Sequence, residues 1–282
     1  MSTDGPVLVI GAAGKTGSAV SRVLLARGVR VRAAVRAGSP RRLGYAVDPS
    51  HRIEVDLVSG SGLAAAMDGA SAVYHLAPNM HPDEVGIAER VLAAAAHAGI
   101  PRFVFHSVLH PHDHRMPHHL RKADAEEAVR RYPAGWTILQ PAAYHQNLLP
   151  AALAGRVEVP YSLDTPFTNV DVGDVARVAA RVLTERGHHG ATYELAGPES
   201  LTVRDLAVVA RDVLQQDVEA VQIPLETWAL TQGADLPDQP RHDLMAMFTA
   251  YDQSGLCGNS WVLAHLLGRP PTTWALALRG EA

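Results

Sequence analysis

The chain has 282 residues, of which 47% are hydrophobic and 19% charged, and carries a formal net charge of −4. A chain this long buries a full core without staples, and its mild acidity excludes the basic footprint of a nucleic-acid binder. One cysteine, Cys257, excludes an internal disulfide, and no apolar run reaches the ~20 residues of a membrane span. Residues 1–6 are too short and polar for a signal peptide, so the expectation is a cytoplasmic protein.

Short apolar runs at 7–10, 29–35, 52–55, 72–76, 102–106 and 136–139 predict strands. The stretches between them, at 14–26, 62–67, 83–98 and 118–131, predict helices, and Gly28, Gly99 and Pro133 with Gly135 mark their ends. Several strand runs are apolar throughout, as in a parallel sheet covered on both faces. The alternation predicts an α/β fold, a doubly wound parallel sheet of Rossmann type.

After Pro141 the rhythm loosens. A helix over 172–184 still reads as part of the first domain. Beyond it come a strand at 191–196 and helices at 203–214, 225–232, 243–252 and 260–267, punctuated by proline and glycine. The expected organisation is a first domain over 1–147, to which the helix near 172–185 returns, and a smaller, mostly helical part over 148–282.

The first strand runs straight into Gly11-Ala12-Ala13-Gly14-Lys15-Thr16-Gly17 and then a helix. In a strand–turn–helix of this kind, glycines permit the tight turn and let backbone approach a pyrophosphate, while the helix N-terminus faces the phosphates. A P-loop is excluded, because that motif needs glycine where Val9 stands. An NAD-specific domain places a carboxylate at the end of the second strand. Here Arg36 stands there instead, followed by Arg41 and Arg42. A guanidinium suits a 2′-phosphate, so the expected cofactor is NADP(H).

These features, with Asp56-Leu57 and the stretch from Phe103 to Leu148, resemble the NmrA-like group of atypical short-chain dehydrogenases/reductases. The segments 102–108 (RFVFHSV), 136–141 (WTILQP), 170–176 (VDVGDVA), 193–199 (YELAGPE) and 267–273 (LGRPPTT) carry the resemblance over nearly the whole chain. It implies that Gly11, Ala13, Gly14, Lys15, Thr16 and Gly17 cradle the pyrophosphate and that Arg36 holds the 2′-phosphate. Asp56 and Leu57 would flank the adenine, and Ala77 and Pro78 would run along the cofactor. Lys122 would hydrogen-bond the nicotinamide ribose, and Pro141, Ala143 and Tyr144 would form the wall beside the nicotinamide. The 148–282 part would bind substrate.

The chain departs from the family pattern where short-chain dehydrogenases carry Tyr-x-x-x-Lys. Four residues before Lys122 stands His118, an imidazole able to transfer protons near neutral pH. His118, Lys122, Ser107 and Tyr144 are the catalytic candidates, and His145 and Asn147 the substrate contacts. Six of the 15 histidines crowd residues 106–119, but alternate residues in a proline-bounded loop do not converge on one point, and no metal is expected. The resemblance implies an NADPH-dependent reductase of a hydrophobic carbonyl, quinone or enone, with a small-molecule partner only and an open oligomeric state. A redox-sensing NADP-binding regulator, or a lyase, isomerase or epimerase, is the alternative on the same scaffold.

Overall fold

The computed structural model describes residues 5–38, 43, 45 and 51–280. β1 (Val7–Ile10), β2 (Val31–Val35), β3 (Arg52–Glu54), β4 (Ala72–His75), β5 (Arg102–His106) and β6 (Gly135–Pro141) alternate with helices. Those helices are α1 (Lys15–Ala26), α2 (Leu63–Met67), α3 (Glu84–His97) and α4 (Pro117–Arg130). Next follow α5 (His145–Leu153), β7 (Arg156–Val159), α6 (Val172–Thr184), β8 (Ala191–Leu195), α7 (Val203–Leu214) and β9 (Glu219–Gln222). The chain closes with α8 (Leu225–Leu230), α9 (Asp238–Ser254), α10 (Trp261–Leu267) and α11 (Trp274–Arg279).

Among the described residues a seven-stranded sheet runs in the order β3-β2-β1-β4-β5-β6-β8, with β3 through β6 pairing in parallel. This is a Rossmann-type α/β fold, doubly wound as the apolar runs predict. β1 and β4 are buried at every position; β1 is apolar on both faces, and β4 ends in Tyr74 and His75 after two apolar residues. One continuous core joins Leu8, Ile10, Val73, Phe103 and Phe105 of the sheet to Met67, Val91 and Val129 of the helices.

The chain divides into two compact units: the described residues of Met1–Ser107, Arg121–Gln140 and Val175–Tyr193, and those of Val108–Leu120, Pro141–Asp174 and Glu194–Ala282. The second unit contains a small parallel sheet, β7 with β9, in which Arg156 lies opposite Glu219 and bonds it at 2.7 Å. Four elements of this unit and part of a fifth lay outside the sequence reading. α5 carries Pro150 in its body, which reads as a helix breaker. β7, β9 and α11 are four to six residues long, too short for periodicity to declare them. α9 begins five residues earlier than expected, at Asp238, because Pro237 and Pro240 read as loop although proline is tolerated in a first turn. Among the described residues no helix is long and apolar enough to cross a membrane.

Candidate cofactor and active site

At the end of β1, Gly11 turns with φ +76°, a conformation L side chains rarely adopt, and a Cβ there would lie 3.2 Å from the Leu76 carbonyl oxygen. The loops after β1 and β4 therefore touch, at the point where the strand order reverses. In open α/β sheets that switch point is where ligands bind. A Cβ on Gly17 would sit 2.2 Å from the Gly11 carbonyl oxygen and 3.0 Å from Ala12 Cα, so only glycine lets α1 close onto the loop.

Gly14 is different. Its backbone is extended (φ −82°, ψ 170°), and a Cβ there would meet only the Gly11 oxygen, at 3.3 Å. That single contact is tight, and a shift of a few tenths of an ångström in the turn would admit a side chain, while glycine keeps the approach to the start of α1 bare. Gly14 is the N-cap of α1 and supplies no capping side chain, and the first turn holds no carboxylate. A bare helix N-terminus without acidic neighbours fits a pyrophosphate. Ala13 is half-buried, Lys15 exposed and Thr16 buried.

Arg36 emerges exposed just past β2, and Arg41 and Arg42 lie outside the described residues. Asp56 turns its carboxylate onto its own loop, accepting from Val58 N at 2.9 Å and Ser59 Oγ at 2.8 Å. The Ser59 hydroxyl, then the Val58 and Ser59 amides, hold it below the usual carboxylate range. Leu57 packs half-buried against the core, and its carbonyl accepts from Arg90 at 3.1 Å. Ala77 is buried and Pro78 exposed after β4.

Lys122 of α4 is buried. Its Nζ donates to Glu84 Oε1 at 2.8 Å and to the His106 carbonyl at 3.2 Å, and lies 5.2 Å above the Phe105 ring. Two histidines at the ends of β4 and β5 complete this cluster. The Tyr74 hydroxyl lies 2.6 Å from His106 Nδ1. Burial first, then the Lys122 charge, pushes His75 and His106 down to about 3, so both rings are neutral at pH 7. One residue beyond His106, Ser107 donates to Glu126 Oε1 at 2.5 Å, and Gln140 Nε2 donates to the same oxygen at 2.7 Å. Arg130 holds the other carboxylate oxygen at 2.9 Å.

The model of the NmrA-like family matches residues 3–266. The chain belongs to that family. It is 34% identical over 212 residues to the (4-alkanoyl-5-oxo-2,5-dihydrofuran-3-yl)methyl phosphate reductase of Streptomyces griseus, covering 71% of this chain and 70% of the relative. It is 27% identical to the NAD(P)H azoreductase of Xenophilus azovorans over 98% of both chains. Among solved structures, the NADPH-dependent quinone oxidoreductase of Escherichia coli in complex with NADPH superposes with a TM-score of 0.80. That pair shares 23% identity, with 97% of this chain and 99% of the other covered.

In this NmrA-like chain the second unit holds the other residues singled out in the sequence. His118 is buried in the first turn of α4, its ring centroid 6.0 Å from that of His119. The Pro141 carbonyl accepts from Leu109 N at 2.8 Å, and the Ala143 carbonyl from Val170 N at 2.8 Å. Tyr144 is the half-buried N-cap of α5, and Asn147 is exposed one turn on. His145 is buried against Trp274, ring centroids 5.4 Å apart, with Nε2 3.4 Å from the Thr272 carbonyl. In the histidine-rich loop, Asp113 is held by both ends of the Arg115 guanidinium, at 2.6 and 3.0 Å. Among the described residues no group of three or more His, Cys, Asp or Glu is placed to hold a metal.

Two family segments build the frame of the second unit. Asp171 accepts from Gly173 N and Asp174 N at the start of α6, and Asp174 holds Thr272 N at 2.6 Å and Arg269 at 2.5 Å. The sequence reading did not anticipate Glu84, Tyr74 or His75. An acid opening a helix reads as an ordinary partner of the helix dipole, and residues ending apolar strands read as core.

Proposed function

We propose that this protein binds NADP(H) at the glycine loop and reduces a hydrophobic quinone, enone or carbonyl compound. The observation that carries the reading is the bare N-terminus of α1 at the strand-order switch point, with Arg36 where an NAD-specific domain would have a carboxylate. The backbone of residues 11–17 would take the pyrophosphate, Arg36 the 2′-phosphate, and Lys122 the nicotinamide ribose. Bound there, the reduced nicotinamide supplies a hydride.

The chain's own residues would do the rest. His118 stands four residues before Lys122 on α4, the place of the tyrosine in Tyr-x-x-x-Lys, and would give its proton to the nascent alkoxide of a carbonyl substrate. A quinone or enone makes a delocalised anion that solvent protonates, so for those substrates His118 is dispensable. Ser107 and His145 are engaged inside the protein, and we read them as supports of the site. Among the relatives, the S. griseus reductase acts on a butenolide phosphate, a conjugated carbonyl compound, which favours an enone-type acceptor.

The test is consumption of NADPH across quinones, aromatic ketones and enones by the purified protein. Oxidation dependent on one of these classes supports the reading. Tight NADPH binding with no acceptor from any class would replace it with a cofactor-sensing role.

A further inference from the structure

Lys122 and Glu84 form a buried ion pair, with side chains 5% and 0% exposed. An ammonium has three N–H donors in a compact head. Two of them are spent inside the protein, on Glu84 Oε1 and the His106 carbonyl, and among the described residues the third meets no acceptor. Glu84 Oε2 is buried too and has no hydrogen-bond partner among the described residues.

A pair built for stability would not look like this. Burying two charges costs much of what their attraction returns, and an unsatisfied carboxylate oxygen adds to the cost. The choice of cation points the same way. Of the 25 basic side chains only two are lysines, Lys15 in the glycine loop and Lys122. Arginines make the bridges Arg115–Asp113, Arg156–Glu219 and Arg204–Asp164 elsewhere in the chain. A planar guanidinium cannot replace a three-donor point charge seated between a carboxylate, a strand-end carbonyl and an aromatic ring.

We propose that Glu84 is the positioning residue of the cofactor site: it fixes the Lys122 ammonium so that its third N–H is held for the nicotinamide ribose. The inference rests on Lys122 being a ligand of the nucleotide, as proposed above. Glu84 itself touches no cofactor atom in this account. It acts through Lys122 alone.

The test is a double-mutant cycle read by calorimetry with NADPH on the wild type, Glu84→Gln, Lys122→Met and the double variant. Glutamine still accepts a hydrogen bond but carries no charge. Glu84→Gln is expected to weaken NADPH by roughly ten- to a hundredfold, and to have no further effect once Lys122 is methionine. Equal loss in both backgrounds, or no loss in either, overturns the proposal. Lysine-selective ¹³C labelling gives a second readout, because there are only two lysines to observe. The Lys122 Cε resonance should relax as a restrained group in the wild type and as a mobile one in Glu84→Gln; unchanged relaxation overturns the proposal.

If Glu84→Gln does not fold, Glu84→Asp serves in its place. It keeps the charge but shortens the reach, so wild-type affinity for NADPH in that variant also overturns the proposal. A wild type that binds no NADPH removes the cofactor reading and this inference together. A wild type that binds NADPH with a silent Glu84 removes the inference alone.

Discussion

The Ser107 hydroxyl donates to Glu126 Oε1 at 2.5 Å, with the serine 1% exposed and the glutamate fully buried. Serine at the end of this strand is the place where a short-chain dehydrogenase would put an active-site hydroxyl. Here the hydroxyl joins β5 to α4, one turn beyond Lys122. Ser107→Ala should therefore leave a buried carboxylate short of one donor and cost about 1–3 kcal/mol of stability. Denaturant unfolding checks the loss, and turnover should stay within a factor of a few. A variant with full stability and abolished turnover would return Ser107 to the chemistry.

Gly14 and Gly17 should separate binding from folding. At Gly17 even a methyl group meets backbone at 2.2 Å, so Gly17→Ala is expected to cost 1–3 kcal/mol or more by overpacking (about the range for a forced core insertion). Gly14→Val meets one backbone oxygen at 3.3 Å, a tight contact that a small shift of the turn relieves. It should lose far less melting temperature than Gly17→Ala while losing NADPH, because the side chain occupies the phosphate approach. Thermal melts with and without NADPH decide it. A Gly14→Val protein still stabilised by the nucleotide would contradict the cradle.

Arg36 sets the cofactor preference in this account. Arg36→Ala should weaken NADPH by roughly 1.5–3 kcal/mol, the worth of hydrogen bonds to a charged group, and leave NADH nearly unchanged. Paired titrations of both nucleotides measure it, and equal losses would dissociate Arg36 from the 2′-phosphate.

The buried histidines predict an acid limb in stability. His75 and His106 fall from the ordinary 6.5 to about 3 in the folded protein, chiefly by burial, with the Lys122 charge adding to it. The unfolded chain then binds more protons between these values, so stability is full above about pH 6.5 and declines as pH falls toward 3. Both His75 ring nitrogens have no hydrogen-bond partner among the described residues, so His75→Leu removes the titration at little structural cost. Its melting temperature should fall less steeply than that of the wild type between pH 6 and about 4. Parallel slopes would show that the acid limb arises elsewhere.

How far the sequence reaches is clearest in the first unit. Short runs dominated by apolar residues, each ending in glycine or a polar residue, announced β1, β2, β4 and β5 and hence the doubly wound sheet. The Gly11–Gly17 loop was legible because a sharp turn and a close helix approach leave few other residues possible. Glu84 was not legible, since its pairing with Lys122 spans 38 residues and depends on two helices meeting beside the sheet. His75 was hidden for a related reason: within a buried strand a histidine does not disturb the apolar pattern. In the second unit the signals fade because the elements are short and Pro150 sits inside a helix. The tie from Asp174 to Thr272 joins residues 98 positions apart, which no local pattern encodes.

The central claim is hydride delivery from NADPH to a conjugated or carbonyl acceptor. Its most direct measurement uses NADPH carrying deuterium at the transferable position of the nicotinamide, in both stereochemical forms, with product analysed by mass spectrometry. The account predicts that one form passes its deuterium to the product carbon and the other does not. Product formed without deuterium from either form, or bound NADPH that yields no product with quinone, enone or ketone, would contradict it.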